Sequence, residues 1–209
     1  MSKSLIRFCD VDFARHFVTI AYYSPVMAKL KDFLAELMEM VIISLLIIVP
    51  IRFFIIQPFF VKGQSMEPNF RENDYLIIDE ISFRFRKPQR GEVVVLRSPQ
   101  QDGQYYIKRI VGLPHETIEI KDGLVKVYSD TNPSGEILSE PYLNSGEITE
   151  GNLRIALEQN DYFVLGDNRK FSYDSRRWGI LERQDIIGRA WVRLWPPQSV
   201  NVFAVPEIN

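Results

Sequence analysis

Three stretches of this chain carry side chains that could do chemistry together. Ser65 stands in FFVKGQSMEPNF, a few residues beyond the one long apolar run. Lys108 stands in YYIKRIVG, an otherwise apolar, β-prone segment in which Tyr106 and Ile110 would share its face. GDNRKFSYDSRRWG packs Asp167, Arg169, Ser172, Asp174, Ser175 and Arg176 into one loop between Gly166 and Gly179. A serine hydroxyl attacks an amide only when a base takes its proton, and the bases on offer are a lysine or a histidine. A free lysine has a pKa near ~10.4, so about 0.4% is neutral at pH 8, and lowering the pKa to about 8 costs about 3 kcal/mol. Burial among Tyr106, Ile107 and Ile110 could impose that shift. The plainer readings are a turn hydroxyl for Ser65, an edge-strand gatekeeper for Lys108 and solvated ion pairs for the loop.

His115, in VGLPHE, would allow a Ser-His-Asp arrangement with Asp167 or Asp174 orienting it. It follows the Lys108 strand at a turn, where an exposed polar residue is the ordinary occupant. His16 precedes the apolar run. Cys9 is the single cysteine, so no disulfide closes within the chain and no thiolate cluster can form. With two histidines and no HxxxH-type spacing, the sequence predicts no metal and no cofactor. A net charge of -2, with no basic tail, speaks against nucleic acid as a partner.

The elements that must position these residues follow from patterning. The 209 residues suffice for one ordinary domain and an appendage. The apolar core from Met40 to Ile51 is short for a spanning helix, but residues 34–54 reach the necessary length with Glu36, Glu39 and Arg52 near the ends. A transmembrane anchor over 34–54 is therefore expected, after an N-terminal segment 1–33. Flanking charges, Lys29 and Lys31 against Lys62 and Arg71, do not decide its orientation. From Val61 onward the chain reads as mostly β, with strands at 75–81, 92–96, 104–113, 161–165 and 186–195 and a two-residue turn at Asp122-Gly123. Residues 114–159 form a loop-rich, acidic insertion between the Lys108 and Asp167 segments. Phe83 to Lys87, and Trp195, Pro196 and Phe203, alternate or cluster rings in a manner suited to a lipid headgroup layer.

GQSMEP, YIKRIVGLP and GDNRKFSYDSR, in this order behind an apolar segment, closely resemble the bacterial type I signal peptidases. The resemblance spans about Arg52 to Pro196. It implies a catalytic domain over 55–209, of twisted antiparallel β-sheets with a small β insertion, held outside a plasma or related membrane by a single-pass anchor with a cytoplasmic N-terminus. It implies preprotein signal peptides as substrates, cut after a small-x-small motif, and a phospholipid membrane as the setting. It makes Ser65 the nucleophile and Lys108 the general base. Ser172 would hydrogen-bond the lysine amine, Asp174 and Arg176 would pair to hold the loop, and Asp167 would support it. Gly63 stands where some relatives carry a serine that completes the oxyanion hole, which leaves the Ser65 backbone N–H as the expected donor. Phe59, Val61, Met66, Phe70, Tyr106 and Ile107 are the expected substrate-binding residues. Asn69 replaces the threonine common after SMxP, and Lys170 marks an exposed loop tip. A silent scaffold relative would lack part of this set, which is intact. A repressor-type autoprotease with a similar Ser-Lys core is disfavoured by the apolar anchor and the lack of a helix-turn-helix pattern. The oligomeric state is not legible.

Overall fold

The computed structural model describes the backbone of residues 10–54, 57–101 and 103–204, and the side chains of 27–49, 58–101 and 103–204. Two compact units divide between Ile51 and Arg52. The first holds most of α1 (Asp10–Phe54). Its described side chains come from a stretch free of Gly and Pro and rich in Leu, Met, Ala, Lys and Glu, which favours helix. Leu30, Phe33, Leu37, Val41, Leu45 and Ile48 are all exposed along it.

The anchor expected over 34–54 is only partly matched. The helix starts well before residue 34, and among the described residues no helix is long and apolar enough to cross a membrane. Asp32, Glu36 and Glu39 confine the charge-free part of the described side chains to Met40 through Val49, and the side chains of residues 50–54 lie outside the description. His16 and Cys9 lie outside it as well.

The second unit is built of antiparallel sheets. Strands β1 (Gln57–Phe60), β2 (Tyr75–Asp79), β3 (Val93–Arg97), β4 (Tyr105–Gly112), β9 (Asp161–Leu165), β10 (Leu181–Glu182) and β11 (Ile186–Trp195) run in the order β1-β2-β11-β3-β4-β9-β10, with β12 (Asn201–Val202) on β11. Between β4 and β9 the chain makes a second sheet from β5 (Thr117–Lys121), β6 (Leu124–Ser129), β7 (Asn132–Ile137) and β8 (Leu153–Ala156), ordered β7-β6-β5-β8. β9 is buried at every position and is apolar from Tyr162 to Leu165, whereas β5 alternates, with Ile118 and Ile120 buried and Glu119 partly exposed. The β5–β6 turn places Asp122 at φ 52° and Gly123 at φ 81°, the left-handed pair that a two-residue hairpin with the sheet's own twist requires.

Three apolar cores hold these layers. One joins the inner faces of β5 and β6 to Phe163 and Leu165 of β9. A second gathers Met66, Phe70, Leu76, Ile78, Val93 and Ala190, and a third gathers Phe83, Val94, Ile110, Val164 and Leu181. The third core corrects an expectation. Phe83 lies in the one-turn helix α2 (Ser82–Phe85) and is buried, so of the Phe83–Lys87 rings only Phe85 faces outward. Phe203 likewise packs on Phe70, ring centroids 4.4 Å apart, while Trp195 stays exposed.

The sheet's irregularity creates the site. β3 pairs with β4 from Tyr105 to Arg109, but β9 meets β4 only at Arg109, Ile110 and Gly112. Tyr105 through Lys108 therefore have a neighbour on one side and an open edge on the other.

Candidate active site

Ser65 sits in the turn after β1. Met66, with no exposed area, and Phe70, 1% exposed, anchor that turn in the core, and the Phe70 N–H donates to the Met66 carbonyl at 2.9 Å. The hydroxyl is left half-buried, 2.8 Å from Lys108 Nζ. The amine also donates to the carbonyl of Ile107 at 2.8 Å. Lys108 is 3% exposed, and burial pushes its pKa down to about 8 although Asp174 and Asp167 pull the other way. A neutral amine has two N–H groups and one lone pair. With one N–H on Ile107, the lone pair can accept the Ser65 proton.

The loop after β9 closes over this pair. The Asn168 N–H donates to the Ser65 carbonyl at 3.1 Å, tying loop to turn. Asp174, fully buried, caps the one-turn helix α3 (Ser175–Trp178), pairs with Arg176 at 2.8 Å and accepts from the Gly166 N–H at 3.1 Å. Ser175 Oγ accepts from the Val164 N–H at 3.0 Å. A Cβ on Gly166 would collide with Ser172 Oγ and the Ser65 carbonyl, so only glycine lets loop and turn approach this closely. Lys170 is exposed, as its position at a loop tip predicts.

Ser172 departs from expectation. Its buried Oγ has no hydrogen-bond partner, so it does not hold the lysine amine. The two partners of Nζ are the Ser65 hydroxyl and the Ile107 carbonyl instead.

Asp167 has a larger part than support of its loop. Buried side by side with Arg109, it takes the guanidinium with two contacts, 2.8 Å from Nε and 2.6 Å from Nη2. It also accepts from Asn69 Nδ2 at 2.8 Å, and Asn69 donates to the Tyr142 carbonyl at the same distance. Arg109 lies over the Tyr142 ring, 4.0 Å from its centroid. Sequence reasoning missed Arg109 and Tyr142. Alternation along β4 was the available signal, since an arginine next to a buried lysine must point to the opposite face and needs a carboxylate there.

A cleft of about 540 Å³ runs past Ser65 and Lys108, walled by Phe59, Val61, Leu76, Val95, Tyr106 and Ile107. Four of the six expected substrate-binding residues thus line it. Met66 and Phe70 do not, because they pin the Ser65 turn from within the core. Gly63 adopts φ 81° and is exposed, bringing no side chain to the site. His115 is exposed at a left-handed turn after β4, its backbone N–H donating to the Leu157 carbonyl at 3.0 Å, and the hydrogen bond of Ser65 Oγ is with Lys108. Among the described residues no group of acidic, histidine or cysteine side chains could hold a metal.

Comparison with known proteins gives the family. The family described as "Signal peptidase, peptidase S26" matches residues 34–195. A probable signal peptidase I-2 of Synechocystis sp. is 36% identical over 174 residues, covering 80% of this chain and 76% of its own. The signal peptidase I of Leptolyngbya laminosa is 35% identical over 172 residues, covering 78% and 81%. Signal peptidase IB of Staphylococcus aureus is 29% identical over 192 residues, covering 82% and 96%. A crystal structure of a signal peptidase I from Enterococcus faecalis matches with a TM-score of 0.42 and 31% identity, over 50% of this chain and 97% of that one. The chain belongs to the signal peptidase family, peptidase S26, and is a serine peptidase of the signal peptidase I type.

Proposed function

We propose that this chain removes N-terminal signal peptides from exported preproteins, cutting after a small-x-small motif, with Ser65 as nucleophile and Lys108 as general base. The observation that carries this reading is the 2.8 Å contact between Ser65 Oγ and the amine of a lysine that is 3% exposed. Oγ bonds to the scissile carbonyl carbon as its proton passes to Nζ, and the tetrahedral intermediate collapses as Nζ returns that proton to the leaving amine. Water then attacks the ester while Lys108 takes its proton, and the proton goes back to Oγ as the C–O bond breaks. The Ser65 backbone N–H has no acceptor among the described residues and is the proposed donor to the developing oxyanion.

The substrate would lie extended along the open edge of β4 at Tyr105–Lys108, facing the segment from Phe59 to Gly63, with alternate side chains against Phe59, Val61, Tyr106 and Ile107. The ring of exposed apolar side chains on α1 supports attachment to a bilayer through that helix, and the family resemblance supports a catalytic unit on the outer side. Ser172, Asp174, Arg176 and Asp167 would act by holding the loop and the electrostatics of Lys108.

The test is intact-mass analysis of a purified preprotein incubated with the full chain in detergent, beside Ser65→Ala. Cleavage after a small-x-small motif that is absent with Ser65→Ala is expected. Equal cleavage by both, or none by a folded wild-type chain across several preproteins, would refute the reading.

A further inference from the structure

The segment Glu140 to Thr149 of the insertion, between β7 and β8, touches all three parts of the site. Arg169, 2% exposed, donates through its guanidinium to Glu140 Oε2 at 3.1 Å and to Thr149 Oγ1, and through Nε to the Gly166 carbonyl at 3.0 Å. Its backbone N–H donates to Glu147 Oε1 at 3.1 Å, and its carbonyl accepts from Arg176 Nη2. Its Nη2 donates to Glu140 Oε1 at 2.5 Å and to the Tyr142 hydroxyl at 3.5 Å, so every polar group of Arg169 is engaged, and four of the partners, Glu140, Tyr142, Glu147 and Thr149, belong to the insertion. Tyr142 extends the contact. Its hydroxyl donates to Glu140 at 2.6 Å, its carbonyl holds Asn69 four positions beyond Ser65, and its ring underlies Arg109 next to Lys108.

We propose that this segment is a clamp that fixes the reacting geometry, with Glu140 a positioning residue that acts through Arg169 on the loop carrying Gly166 and Asp174. The proposal rests on the Ser65–Lys108 reading above. The charged and polar groups around Arg169 are Glu140, Glu147, Asp167, Tyr142 and Arg176, and the carboxylates that act on Lys108 are Asp167 and Asp174. Asp167 is common to both sets. Neutralising Glu140 leaves Arg169 buried without its principal counter-ion, adds net positive charge behind the loop and loosens the Gly166 and Arg176 contacts. Misplacement of reacting groups by about 1 Å costs about 100-fold in rate.

The experiment compares wild type, Ser65→Ala, Glu140→Gln and Tyr142→Phe as full chains in detergent, with preprotein cleavage followed from pH 6 to 10 and rates normalised to the folded fraction by circular dichroism. Glu140→Gln is expected to lose about ten- to a hundred-fold in kcat with little change in KM, and to move the acidic limb of kcat/KM to lower pH. Tyr142→Phe, which keeps the ring on Arg109 and changes no charge, is expected to lower kcat by less and to leave the limb in place. Adding Arg169→Gln to Glu140→Gln should return the limb to its wild-type position, because the stray charge is gone. Wild-type kcat and limb in Glu140→Gln, or a loss accounted for by unfolding with an unmoved limb, would overturn the clamp while wild type against Ser65→Ala still upheld the serine mechanism. An inactive wild type would instead refute the functional reading and the clamp with it.

Discussion

Replacing Lys108 by methionine should abolish cleavage and yet stabilise the fold at neutral pH. The side chains are similar in length, but the lysine is 3% exposed with its pKa held at about 8 against an ordinary 10.5. Between those values the unfolded chain binds a proton that the folded chain does not, so stability rises with pH across that window. Below pH 8 the whole penalty is present, about 3 kcal/mol, and at pH 10 about 1 kcal/mol remains. Losing the amine leaves the Ile107 carbonyl without its 2.8 Å donor, which costs about 1 kcal/mol in return. Lys108→Met should therefore be more stable than wild type by about 2 kcal/mol at pH 7, and this advantage should vanish by pH 10. Urea unfolding of both full chains in one detergent at the two pH values measures it. A methionine variant that is less stable at pH 7, or a difference that does not move with pH, would refute the argument that burial sets the lysine's basicity.

The wild-type rate should carry the same signature: kcat/KM should fall about fivefold from pH 8 to pH 7 as the neutral amine drops from about half to about 9% of molecules, and a flat profile down to pH 6 would exclude Lys108 as the base. Met66→Ala should cost about 2–5 kcal/mol of stability, whereas Phe59→Ala should act chiefly on KM, and the reverse pattern in urea melts and kinetics would restore Met66 to the cleft. Asp167→Asn strands the Arg109 charge in the interior and should destabilise by about 3–5 kcal/mol, measured by urea unfolding. Chelators should leave cleavage unchanged, since every proposed proton transfer uses Lys108, and a loss with EDTA that added metal reverses would disprove this.

The β strands were legible because branched and aromatic runs such as VVVL and DYFVL occur between turn formers, and the hairpin at Asp122-Gly123 because its backbone conformation selects those residues. The site was legible in part. Ser65, Lys108 and the Asp174–Arg176 pair come together, yet no local pattern distinguishes Met66 and Phe70 as the inside of a turn from Phe59 and Val61 as the wall of a cleft. Ser172 illustrates the converse: its hydroxyl is buried against Gly166 and makes no hydrogen bond, which the loop's sequence does not reveal. Arg109, Glu140 and Tyr142 stayed hidden because their partners are distant in sequence, and a charged residue in an acidic insertion reads as solvated until the fold shows what it faces.

The cleft beside Ser65 is lined by the exposed rings of Phe60 and Tyr105 and by aromatic and aliphatic walls, with no charged group other than Lys62 and Lys108. Such a surface does not distinguish a peptide's apolar side chains from an alkyl tail. Surfactant monomers will compete for it, so the apparent KM of the solubilised chain will scale with free surfactant and depend on tail length. Kinetic constants from different micelles will then differ even when the reacting groups are unchanged.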